Sequence, residues 1–172
     1  METLKIEIKW AIIFSVVGLL WMLVEKLTGL HGTYIDYHQN LTNLFAIPAI
    51  LMMVLALKDK KKNFYHGLMT YRQGLISGTI VSLFIALLSP LTQWVTSFLI
   101  SPEYFPNVIK RSVELGYYQN TAEAEAVFNF QNYAIQGAIA ALIMGVVTTA
   151  IAMIFIQSKK IKDKNSVILN PQ

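Results

Sequence analysis

Charged positions divide the chain into four apolar stretches, Trp10 to Val24, Leu41 to Leu57, Gly74 to Ile100 and Ala126 to Ser158, none of which holds Asp, Glu, Lys or Arg. Crossing roughly 30 Å of hydrocarbon takes about 20 mostly apolar helical residues, fewer where flanking Lys and aromatic side chains reach the headgroups. The pattern predicts an all-α membrane protein with four transmembrane helices in a single domain, 1–172. The spans are expected at about 10–27, 41–57, 74–100 and 130–157, with an extracytoplasmic amphipathic helical hairpin at about 101–132 between spans three and four.

Within this frame, local chemistry sets the details. Pro48 falls one or two turns into span two and should kink or locally loosen it by removing a backbone hydrogen bond. Span three, if helical to Ile100, outruns the bilayer at 1.5 Å per residue, so its outer end must protrude, tilt or bend at Ser89-Pro90. Ser101-Pro102-Glu103 reads as a helix start, with Pro106 allowing a slip to Phe105. From there Glu103, Asn107, Lys110, Arg111 and Glu114 recur at three and four, while Phe105, Val108, Ile109 and Val113 take another face. Gly116 suits a left-handed end cap. Asn120-Thr121-Ala122-Glu123 resembles a capping box opening a helix that continues without interruption into span four and its Lys159 to Lys164 cluster. The tail Asn165 to Gln172 is expected to be loose.

Composition agrees: 55% of residues are apolar and 14% charged, too little polar surface for a water-soluble globule. The net charge of +4 is topogenic. With both termini and the Leu57 to Tyr71 loop on one side, that side carries 11 basic residues against Lys26, Lys110 and Arg111 on the other. The positive-inside rule then puts both ends in the cytoplasm. A basic stripe on a folded surface is missing, so no nucleic-acid partner is expected. The amino terminus mimics a signal peptide without a small-x-small cleavage site, and span one reads as retained. Lack of Cys removes disulfides, thiolate metal sites and thiol nucleophiles.

Two rows of small residues stand out: Gly74, Gly78, Ser82 and Ala86 in span three, and Gly137, Ala141, Gly145 and Thr149 in span four. Spaced four apart, they let helix backbones approach where lipid removes the hydrophobic drive for association. The two helices should pack antiparallel, with Gly78 near Thr149 and Ala86 near Ala141. The span interiors carry no charge, only Gln93, Gln136, Ser77, Thr79, Ser82, Thr148 and Thr149, which disfavours an ion-coupled pump. In the outer loop, Glu25, His31, Asp36 and His38 are groups able to bind a divalent metal or serve as acid and base, but no known metal-ligand spacing is present. They read as solvated loop residues, with no metal, cofactor or catalytic residue expected. His66 and Arg72, beside Tyr65 and Tyr71, suit contact with anionic lipid. A phosphate-binding Gly loop, a nucleophile elbow and a paired-histidine helix motif are all missing.

The four spans, the Pro-containing second span, the segment Phe64-Tyr65-His66-Gly67 to Gly78, and span three running into Ile100-Ser101-Pro102-Glu103-Tyr104-Phe105 together resemble an uncharacterised bacterial membrane family, domain of unknown function 4199. The resemblance covers nearly the whole chain. Ser101 replaces the family's usual Asn, a cap-for-cap exchange, and Pro106 is less typical. It implies a four-helix inner-membrane protein and supplies no activity, substrate or catalytic residue.

These residues lead first to a non-enzymatic membrane interaction or assembly protein. Its partners are the lipid bilayer and either another membrane protein or copies of itself. Phe105, Val108, Ile109 and Val113, with His66 and Arg72, form the surface for partner or lipid. The alternatives are an oligomeric solute or lipid transporter lined by Ser82, Gln93, Gln136 and Thr149, and a membrane enzyme requiring His31, Asp36 and His38 to converge with Glu25.

Overall fold

The computed structural model describes residues 4–158; the Lys159 to Lys164 cluster and the tail lie outside the described residues. The described chain is helical, with seven α-helices: α1 (Lys5–Leu27), α2 (Ile35–Leu41), α3 (Ala46–Asn63), α4 (Tyr71–Val95), α5 (Tyr104–Glu114), α6 (Thr121–Val127) and α7 (Phe130–Ile156). Four helical stretches, Lys5–Leu27, Ile35–Asn63, Tyr71–Ile100 and Thr121–Ile156, are long and apolar enough to cross a membrane. Their outward residues, such as Ile12, Val16, Ile47, Leu51, Leu87, Ile139 and Phe155, are large, apolar and exposed. A belt of this kind on all sides suits lipid and not water.

The bundle is built around α4, which packs most extensively on α7 and next on α1, while α3 closes the ring by touching α1 and α7. Small residues set the α4–α7 distance. A Cβ on Gly74 would overlap Met153, one on Gly78 would overlap Thr149, and one on Gly145 would overlap Ser82. Ser82 and Thr149 donate their hydroxyls to their own helices, at the carbonyls of Gly78 and Gly145, 2.8 and 2.7 Å away. Both are fully buried. They therefore sit in the seam between α4 and α7, and do not line the oligomeric pathway that the sequence assigned to them.

Several boundaries differ from the sequence expectation, each for a local reason. α1 begins five residues before Trp10, and Glu7 in its first turn is buried: its side chain sits against Lys60 of α3 (2.8 Å) and accepts a hydrogen bond from Ser77 of α4 (2.7 Å). Lys60 Nζ also sits 3.7 Å from the centre of the Phe64 ring. The buried pair lies beyond the ends of the apolar stretches that begin at Trp10 and end at Leu57, so the bundle encloses charge at its lysine-rich end. Pro48 does perturb span two, but one turn earlier. Its ring excludes the carbonyl four residues before it, and the chain tightens into a 3-10 turn at Thr42–Phe45 between α2 and α3. The helical stretch that contains span two starts at Ile35, with α2 at its hairpin end. α4 runs on through Pro90 and widens only at Thr96–Ile100, a π-helical turn in which Ser101 N–H reaches the Thr96 carbonyl at 2.8 Å. With that turn the span has 30 residues, about 45 Å at 1.5 Å each.

α5 starts at Tyr104; Ser101 forms a turn with Tyr104 N–H but no side-chain cap. Gly116, at φ +77°, ends it. Asn120 caps α6 through Glu123 N–H, 3.0 Å away. The helix does not continue into span four, because Asn129 serves both ends of a break. Its amide donates to the last carbonyls of α6 at Glu125 and Ala126, and its oxygen accepts from Asn132 N–H to open α7. The result is a bundle with a lysine-rich end, at the α3–α4 connector, and a hairpin end, where α2, α5 and α6 cover the spans.

Candidate functional site

The hairpin end holds a cluster of ionisable and aromatic side chains. Glu25 lies in the last turn of α1, and the chain reverses directly after it at Gly29, whose φ of +82° few residues other than glycine adopt. That reversal returns His31 over the end of α1, with Leu30 N–H bonded to the Glu25 carbonyl at 2.9 Å. Asn107 of α5 holds the loop from above by donating to the His31 carbonyl at 2.9 Å. α2 then brings His38 to the same place. His31 Nε2 and His38 Nε2 stand 3.2 and 3.3 Å from one oxygen, Glu25 Oε2. The other oxygen accepts from Trp21 Nε1, one turn earlier on α1, and Thr42 also bonds the carboxylate.

Glu25 and His31 side chains are 1% and 3% exposed, and His38 is 17% exposed, so the reading of these groups as solvated loop residues is corrected. Asp36 does not join them. The rings of His31, His38 and Tyr104 meet pairwise with centroids 5.0 to 5.3 Å apart. Tyr104 OH lies 3.4 Å from His38 Nδ1 and 3.3 Å from Tyr133 OH. Burial pushes the Tyr104 hydroxyl far above the ordinary phenol range, and Tyr133 beside it adds to the shift, so Tyr104 keeps its proton at any working pH.

Above this cluster opens a cavity of about 930 Å³, lined among others by His31, His38, Tyr104, Arg111, Tyr133 and Gln136. A smaller hollow of about 260 Å³ lies deeper between α1, α4 and α7, lined by Ser15, Gly18, Ser89 and Thr92. The two share Met22, Gln93 and Thr96. Of the polar residues that the sequence assigned to a pathway, Gln93 and Gln136 line the larger cavity.

The outer wall is α5. Phe105, Val108, Ile109 and Val113 are half-buried. Phe105 packs edge-on against Tyr133, centroids 5.1 Å apart, and Val108 lines the cavity. His66 and Arg72 are exposed at the opposite end. Asp36 and Arg111 latch α2 to α5 through two bonds of 2.7 Å, the planar guanidinium meeting both carboxylate oxygens. Because this pair is more than a third exposed, Arg111→Ala should change global stability little. The expected change is local: faster hydrogen exchange confined to α2 and α5, with α4 and α7 unaffected.

Sequence reading missed Trp21, Thr42, Tyr104 and Tyr133 around Glu25. One signal was available, since Trp21 and Glu25 are four apart and share a helix face.

The fold and the chamber define a multi-pass helical membrane protein with an aromatic-lined cavity of mixed polarity at one end. The chain belongs to the family described as "Protein of unknown function (DUF4199)", whose sequence profile matches residues 9–158. No curated protein and no solved structure matches it.

Proposed function

We propose that the protein is a non-enzymatic binding protein of the bacterial inner membrane, with its lysine-rich end in the cytoplasm and its chamber receiving a small polar solute from the other side. One observation carries this reading: about 930 Å³ of cavity, the size of a small-molecule site, is walled by imidazole, phenol, guanidinium and amide groups. The distribution of lysines supports the orientation. The interaction-and-assembly reading has less to stand on, because Phe105 packs on Tyr133 and Val108 lines the cavity, which takes these two from the face that a partner would use. Transport would need a route onward from the chamber, and the deeper hollow beside Ser89 and Thr92 is the place to look for it.

The absence of Cys makes the test direct. Single-cysteine variants Gln136→Cys, in the chamber, and Lys62→Cys, at the lysine-rich end, would be exposed to a membrane-impermeant maleimide in intact spheroplasts. Gln136→Cys should label at once and Lys62→Cys only after lysis; the reverse pattern would invert the topology. Native mass spectrometry of wild-type protein from mild detergent should then show a retained small molecule that Val108→Trp, which fills the cavity, releases. Retention of bilayer lipid alone would overturn the solute reading.

A further inference from the structure

We infer that Glu25, His31 and His38 form a binding site for a divalent transition-metal ion of the zinc class. The three side chains each offer one ligand atom, and these atoms lie within 4.8 Å of one another. Two imidazole nitrogens and a carboxylate oxygen are a donor set suited to zinc and its neighbours, with bonds of about 2.0–2.2 Å. In a tetrahedron with such bonds, ligand atoms stand about 3.3–3.5 Å apart. The observed separations of His31 Nε2 and His38 Nε2 from Glu25 Oε2 are 3.2 and 3.3 Å.

Two imidazoles hydrogen-bonded to one carboxylate oxygen fit the same separations. What a cation adds is a single shared partner for all three ligand atoms, which lie within 4.8 Å of one another.

The surroundings match a metal site in two further respects. For Nε2 to bind metal, the ring proton must sit on Nδ1. At His38 that proton has an acceptor in Tyr104 OH, 3.4 Å away, backed by Tyr133 OH, a phenol relay that orients the ring. At His31, Nδ1 is buried with no hydrogen-bond partner among the described residues, whichever tautomer is present, so ligation adds no new unpaired group there. The second respect is access. His31 and His38 line the large cavity, so a fourth ligand, water or a donor atom of a solute, would enter from it.

This inference deepens the proposed function and rests on it only in taking the chamber to be reachable from solvent. The test uses full-length protein carrying a tag without histidine, in nanodiscs, stripped with chelator and titrated with Co²⁺ and then Zn²⁺. One equivalent of Co²⁺ should bind, giving the strong visible absorption of a low-symmetry four- or five-coordinate ion, and Zn²⁺ should displace it. Glu25→Gln and His38→Ala should each weaken binding by at least about 100-fold, since even groups behind the ligands contribute 10–100-fold at metal sites. Asp36→Asn, close by but bonded to Arg111, should leave the titration unchanged. Should the ligand variants misfold, the wild-type stoichiometry and absorption still decide. No saturable binding to folded wild-type protein, or binding unaltered in the His31→Ala/His38→Ala double variant, would overturn the metal site. Labelled Gln136→Cys with no metal bound would remove the metal and leave the solute chamber standing; a Gln136→Cys left unlabelled even after lysis would remove the chamber reading itself.

Discussion

Replacing Lys60 with methionine is expected to destabilise the bundle by about 3–5 kcal/mol, the cost of leaving the other member of a buried ion pair without its partner. The Lys60 and Glu7 side chains are 4% and 2% exposed, and their charged atoms are 2.8 Å apart. Without Lys60, Glu7 keeps among the described residues only the Ser77 hydroxyl, 2.7 Å away. The network ties together the lysine-rich ends of α1, α3 and α4, so its loss should loosen all three. A buried pair also carries a large desolvation cost of its own, which disappears when both members go. Glu7→Leu combined with Lys60→Met should therefore recover most of the loss. Reversible unfolding in bicelles, read as a double-mutant cycle, measures this directly. A Lys60→Met cost below about 1 kcal/mol would mean that water or lipid headgroups reach the pair, as at an exposed ion pair.

That pair shows where sequence reasoning runs out. Spans are legible because lipid imposes one demand on every outward position, and a run such as Trp10 to Val24 meets it without reference to any other segment. A buried charge depends instead on where its partner lies. Nothing in the pattern around Glu7 points to Lys60, 53 residues away, which the fold places beside it. Glu25 has the same history: in the sequence it is an interfacial acid at the end of a span. Only the reversal at Gly29 and the short α2 bring His31 and His38 onto its carboxylate. Their spacing of seven carries no metal-site signal, because His31 sits in a turn and His38 on a helix. Pro48 announces a distortion in span two, but the clash acts on the carbonyl four residues earlier and so moves the distortion a turn upstream. Asn129 is illegible for another reason, since nothing in the polarity pattern marks one amide as closing α6 and opening α7.

Small-residue rows are the opposite case, since spacing alone puts Gly74, Gly78 and Gly145 on the faces that meet, and this gives the second large effect. Gly78→Ala is expected to destabilise the α4–α7 pair by about 1–3 kcal/mol, toward the upper end of the usual cost of overpacking. The added methyl would overlap the Thr149 side chain, whose own Cβ would lie 2.8 Å away. A flexible side chain could swing aside, but a Cβ moves only with its backbone, so α4 and α7 must separate. Thr149 is further held by its bond to the Gly145 carbonyl, 2.7 Å away. Alanine gains about 1 kcal/mol over glycine within a helix, which the clash must exceed for any loss to appear. Gly18→Ala supplies that baseline. Among the described residues its added Cβ would meet only the Phe45 ring, at 3.8 Å, and should leave stability unchanged or raised. Thr149→Gly removes the obstructing atoms, so the Gly78→Ala/Thr149→Gly pair should be more stable than the sum of the two single changes predicts. Equal behaviour of Gly78→Ala and Gly18→Ala would show that α4 and α7 do not approach closely in the membrane, and that the register through Gly74, Gly78 and Gly145 is wrong.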